Sequence, residues 1–164
     1  LLAPYAAISA QHAHVHGVAR LQVASDGERL TLEFSSPLDN LVGFERAPKT
    51  DKERAALKDM MTRLQQAERL FVPSAEARCV RTSVQVSTPF DAKHGKPAAK
   101  VEQSEHAALT AEVVFKCERP QNLKGLNAAM FDAFPRLKRI DAQVAGAKKQ
   151  TAAKLTARDS QLAW

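Results

Sequence analysis

The chain lacks most of the features that announce an enzyme. Its 164 residues include only six glycines, two cysteines, one tryptophan and one tyrosine. No Gly-rich phosphate loop, Gly-x-Ser-x-Gly elbow or His-Glu-x-x-His helix is present. Acidic residues such as Glu45, Asp51, Asp132 and Asp141 suit turns, caps and surfaces, and no general base stands out among them. A non-catalytic protein is expected. No apolar run approaches the roughly 20 residues that a membrane-spanning helix needs. Aromatics are also sparse, at 5% of the chain, which bears on the net charge of +6. Lysines and arginines are spread along the chain, with only short doublets such as Lys148-Lys149. Without an aromatic–basic stripe, a nucleic-acid partner is not expected. The positive surface suits weak attraction to anionic membranes or partners.

Cys79 and Cys117 are the only thiols. An even count fits one disulfide, and a disulfide fits an oxidising compartment. Closing such a loop is worth about 4 kcal/mol in the chain-entropy model. The alternative is two buried thiols in a reducing compartment. A metal pair is disfavoured, because neither cysteine has a second one at ligand spacing.

What is present is enough apolar residue, 45% of the chain, for one ordinary core. The first ten residues are apolar and small, ending Ala7-Ile8-Ser9-Ala10. They read either as the tail of a secretory signal, and so of export to the periplasm, or as a short N-terminal arm. Residues 11–164 are expected to form one domain, interrupted by a polar, flexible loop over 89–104.

Alternating apolar residues from Val15 to Val23 predict a strand, and Ser25 to Glu28 a hairpin turn in which Gly27 is free to take positive φ. Leu30, Leu32 and Phe34 predict the return strand, ended by Pro37. A loop over Asp39 to Lys49 precedes a capping box at Thr50 and Glu53. Leu57, Met60, Met61, Leu64, Ala67 and Phe71 then follow at helical spacing as far as Pro73. Val80 to Val86 and Leu109 to Phe115 predict two more strands, with Cys79 out of phase with Val80. Asn122 is expected to cap a second helix carrying Leu123, Leu126, Met130 and Phe131, and two strands follow over Ile140 to Val144 and Thr151 to Ala157. The expected fold is α+β: an antiparallel sheet of about six strands in ββαββαββ order, with two helices on one face.

The chemistry-bearing feature is the alternating run His12-Ala13-His14-Val15-His16. In an extended chain, side chains at i, i+2 and i+4 point the same way, so three imidazoles share one side. Imidazole suits Zn²⁺, and also Cu²⁺ and Ni²⁺. This parity is opposite to Val15, Ala19 and Leu21, so the histidines are expected to be exposed. His94, in the polar loop, and His106, just before the fourth strand, are further candidate ligands.

Several segments together resemble the ZrgA-like family of periplasmic zinc-uptake proteins. They are His14 to Ala19, Asp26-Gly27, Ser36 to Pro48, Phe115-Lys116-Cys117 and Phe131 to Pro135. The likeness runs from His12 to about Leu155, and Asn40 to Pro48 is its most specific part. The resemblance implies export, zinc binding and support of a zinc importer, a transporter of the ABC type, without catalysis. Two departures reduce metal capacity. Where the family carries a long histidine-rich insertion, this chain has only Pro89 to Gln103 with His94. Where a histidine is expected after Phe44-Glu45, it has Arg46.

Overall fold

A computed structural model describes residues 15–90, 108–146 and 150–164. The first hairpin forms as its alternation dictates: β1 (Val18–Asp26) pairs antiparallel with β2 (Arg29–Pro37), closing at Asp26↔Arg29. β4 (Cys79–Ser87) and β5 (Ala108–Cys117) form a second antiparallel pair, as do β7 (Arg139–Gly146) and β8 (Gln150–Leu155). These six strands make one sheet in the order β4-β5-β2-β1-β7-β8. β1 and β7 run parallel, Val18 facing Arg139 and Ser25 facing Gly146. The sheet is therefore mixed, not antiparallel as expected. Short turns oblige neighbours in sequence to pair antiparallel, but β1 and β7 are joined through most of the chain. No turn constrains their direction.

Four helices occur among the described residues. α1 (Asp39–Val42) lies within the stretch expected to be loop. α2 (Asp51–Gln65) starts at the predicted capping box: Glu53 N donates to Thr50 Oγ1 at 3.1 Å, and Thr50 N to the Glu53 carboxylate at 3.3 Å. Met60 and Leu64 are its buried anchors. The helix was expected to continue to Phe71. It breaks at Gln66, and α3 (Ala67–Leu70) leads into β3 (Phe71–Pro73) instead.

β3 belongs to a second sheet that sequence periodicity did not suggest, ordered β3-β6-β9, with β6 (Gly125–Ala128) and β9 (Gln161–Ala163). The helix expected over Leu123 to Phe131 is replaced by β6 and the single turn α4 (Met130–Ala133), while Asn122 ends a short 3-10 turn. The cause is tertiary. Gly125 approaches β9 so closely that a Cβ there would lie 2.2 Å from Leu162 O, and the strand contact overrides the apolar spacing. The ββαββαββ order is thus corrected to β1β2α1α2α3β3β4β5β6α4β7β8β9.

One parity of the large sheet is the core. Ala19, Leu21 and Val23 of β1, Leu30, Leu32 and Phe34 of β2, and Ile140, Ala142 and Val144 of β7 all point inward. They share one apolar cluster with α2, α3, α4 and the small sheet. The other parity is polar and open, running Gln22, Glu33, Glu112, Gln85 across four adjacent strands.

A β-bulge at Arg81/Ser83 settles the phase of Cys79. The extra residue, Thr82, reverses the alternation. Val80 is 68% exposed on the outer face, yet Cys79 and Val84 both face inward, opposite Cys117 and Val113. Cys79 and Cys117 form a disulfide with an S–S distance of 2.05 Å, bridging β4 and β5 directly across the sheet. No helix among the described residues is long and apolar enough to cross a membrane.

Candidate functional site

The residues that lead into β1 meet α1 at one end of the large sheet. His16 occupies a turn, not the strand, with Val18 N donating to Val15 O at 3.1 Å. Gly17 takes φ +79°, a left-handed conformation suited to glycine. This turn separates His16 from the alternation of β1. His16 is exposed, but it is presented by a turn, and Val15, expected on the inward parity, is 58% exposed as well.

The turn is held from α1. Asn40 is only 1% exposed, and its side chain makes three hydrogen bonds. Oδ1 accepts from Gly17 N at 2.6 Å, while Nδ2 donates to Val18 O at 3.0 Å and to Ser36 Oγ at 3.2 Å. A buried amide of this kind fixes the backbone on either side of its contacts. Beside it, Asp39 Oδ2 stands 3.3 Å from His16 Nδ1. From the opposite side, Lys138 N and Arg139 N both donate to Gly17 O, at 2.8 and 3.0 Å.

Arg46 stands where a histidine was expected, and it is committed elsewhere. Its guanidinium grips Glu53 with two bonds, 2.9 and 2.6 Å, and lies 5.8 Å above the Phe44 ring. The Glu53 carboxyl is held down at about 2, first by the bond from Arg46 and then by the Lys49 backbone N–H. Arg46 thus ties the Phe44 to Pro48 segment to the start of α2, and supplies no metal donor.

Of the candidate ligands, the structure places His16 alone. His12, His14, His94 and His106 lie outside the described residues. Among the described residues, no three His, Cys, Asp or Glu side chains are grouped to hold a metal ion. Cys79 and Cys117 are spent in the disulfide. Sequence reasoning missed Asp39 and Asn40, since an Asp-Asn pair after Pro37 reads as ordinary loop chemistry. The available signal was their place in the Ser36 to Pro48 segment that carries the family resemblance.

One hollow lies beside the site and another on the outer face of the large sheet. A small groove of about 110 Å³ at this end of the sheet is lined in part by Val15, Val18, Pro37 and Ala108, so the start of β5 and the lead-in to β1 share it. A larger hollow of about 290 Å³ lies on the outer face between Arg20, Glu33, Gln85 and Glu112, and neither His nor Cys lines it.

A family model described as ZrgA family zinc uptake protein matches residues 13–164. No curated protein matches the chain.

Proposed function

The chain belongs to the ZrgA family of zinc uptake proteins, and from that premise we propose that it is a non-catalytic zinc-binding accessory protein of the periplasm, buffering Zn²⁺ or handing it to an importer. The observation that carries this reading is the exposed His16 imidazole on a turn that Asn40 clamps. Imidazole is a donor that suits zinc, and Cu²⁺ and Ni²⁺ share the preference for it.

The proposed ligands are His12, His14 and His16, with His106 and His94 as further donors. Support for His106 comes from connectivity. Ala108, two positions after His106 in sequence, lines the same groove as Val15. The disulfide supports an oxidising compartment. Residues 1–10 as a secretory tail and 11–164 as one domain complete the proposal, with a component of a zinc ABC transporter, or another envelope protein, as partner. Calorimetric titration of zinc into the wild type and a His12/His14/His16→Ala variant tests it. Binding in the wild type and loss in the variant is expected; equal binding removes the site.

A second reading rests on the open outer face of the large sheet, whose polar row Gln22, Glu33, Glu112, Gln85 no described element covers. It makes the protein a metal-independent docking module for an envelope transporter. In that case association with the purified transporter component survives chelator and is lost on substituting the outer-face residues.

A further inference from the structure

The outer face of the large sheet sorts its charge by strand. Glu33 of β2 and Glu112 of β5 stand directly opposite each other, flanked by Gln22 and Gln85. Like charges so placed oppose strand pairing, and neither carboxylate has a hydrogen bond or ion pair with any described residue. Basic residues gather on the other side. Asp141 of β7 accepts from Arg139 at 2.8 and 3.1 Å, with Arg20 of β1 directly across on one side and Lys154 of β8 on the other. Three cations thus surround one carboxylate. Towards the hairpin turn the charges balance, Lys116 meeting Glu28 at 3.4 Å and Arg29 facing Asp26.

The strand order β4-β5-β2-β1-β7-β8 therefore sets an acidic half beside a basic half, with the boundary between β2 and β1. We propose that this face packs on the same face of a second copy of the chain. A two-fold axis lying along that boundary carries each acidic half onto the partner's basic half, so the contact is self-complementary and forms twice. Short side chains let the two sheets approach. Ser35, Thr110 and Ser87 line up in the row next to the glutamates, and Ala24 and Ala145 pair beyond them. The hollow of about 290 Å³ beside Glu33 and Glu112 leaves room for an incoming side chain. Six strands about 4.8 Å apart, at about 3.3 Å per residue, present about 800 Å², the area each partner gives to an interface of standard size. The pairing needs no metal, and it takes the face that the docking reading above assigns to a transporter component.

Sedimentation of the full chain over a range of concentrations, at low and high salt, tests the proposal. A dimer is expected in the wild type, weaker as salt rises. Glu33→Arg/Glu112→Arg makes the face basic on both halves, and Arg20→Glu/Lys154→Glu makes it acidic on both. Each double variant alone is expected to self-associate at least about 10-fold more weakly, because the two-fold axis counts every substitution twice. Mixed in equal amounts, the two are expected to form a heterodimer, since every contact again joins opposite charges. The uncharged Glu33→Gln/Glu112→Gln removes the cross-strand repulsion and so keeps the fold. It is expected to weaken the dimer as well.

Wild-type protein that stays monomeric up to millimolar concentration overturns the proposal, including where it associates only with a transporter component. A dimer that survives all three variants overturns it too, because the contact then lies elsewhere. So does an equimolar mixture that fails to associate while both charge-reversed variants keep the wild-type denaturation midpoint. Where a reversed variant unfolds, the glutamine variant decides alone.

Discussion

The buried amide of Asn40 accepts the backbone N–H of Gly17 at 2.6 Å, joining the four-residue helix α1 to the turn before β1 across 23 positions of sequence. Removing that amide strands groups that have no water to turn to. Asn40→Ala is expected to destabilise the fold by about 1–3 kcal/mol, read as a lower urea midpoint. Asn40→Asp keeps an acceptor for Gly17 N but loses the bonds to Val18 O and Ser36 Oγ, and should be destabilised too. Both variants should bind zinc more weakly, because the turn that presents His16 loosens.

The Arg46–Glu53 pair gives a pH signature. The Glu53 carboxyl lies at about 2 in the folded protein against an ordinary value of 4.5, first because of the bond from Arg46 and then because of the Lys49 N–H. A depressed folded-state value stabilises above the unfolded value, and that share is lost as pH falls from about 4.5 towards 2. In Arg46→Ala the Glu53 value should rise towards the ordinary carboxylate range, and this stretch of the acid limb should flatten. Carboxyl ¹³C titration of both proteins measures it.

The disulfide closes a sequence separation of 38. Replacing both Cys79 and Cys117 with alanine should lower stability by about 4 kcal/mol if chain entropy dominates. Urea denaturation measures this, and reducing agent should move the wild-type midpoint towards that of the variant without moving the variant's own.

Gly125 is required by contact. A Cβ there would meet Leu162 O at 2.2 Å, so Gly125→Ala must push β9 from β6. A loss of about 1–3 kcal/mol is expected, as for overpacking elsewhere. Trp164, the only tryptophan, follows β9, packs against the core and donates its backbone N–H to Lys124 O. Its emission should therefore shift to the red in the variant.

Strict alternation made β1, β2, β5 and β7 legible, and a capping box located the start of α2. These are local signals, each contained within a few residues. β6 was hidden because Leu123, Leu126 and Met130 match a helical face, and only contact with Leu162 decides otherwise. Val80 and Val84 share a parity in sequence and lie on opposite faces in the fold, because one bulge residue intervenes. The same bulge explains how Cys79, out of phase with Val80, can face Cys117. At the site, strand parity does not account for the exposure of His16, because the turn before β1 exposes Val15 of the opposite parity as well. The His16 partners Asp39 and Asn40 were not legible either, because their meaning lies in a contact with residues more than twenty positions earlier.

The parallel pairing of β1 with β7 also has a consequence in time. Val18 to Ser25 cannot be flanked on both sides until Arg139 to Gly146 have been made and have docked. Pairing of such long range slows folding, and until then β1 is an unprotected edge open to wrong partners. Gly17 shares this schedule: Asn40 can take its N–H early, from a nearby helix, but its carbonyl waits for Lys138 and Arg139. The turn that carries His16 is thus among the last parts of the molecule to be finished, and a nascent or truncated chain would display its histidines on an unset support.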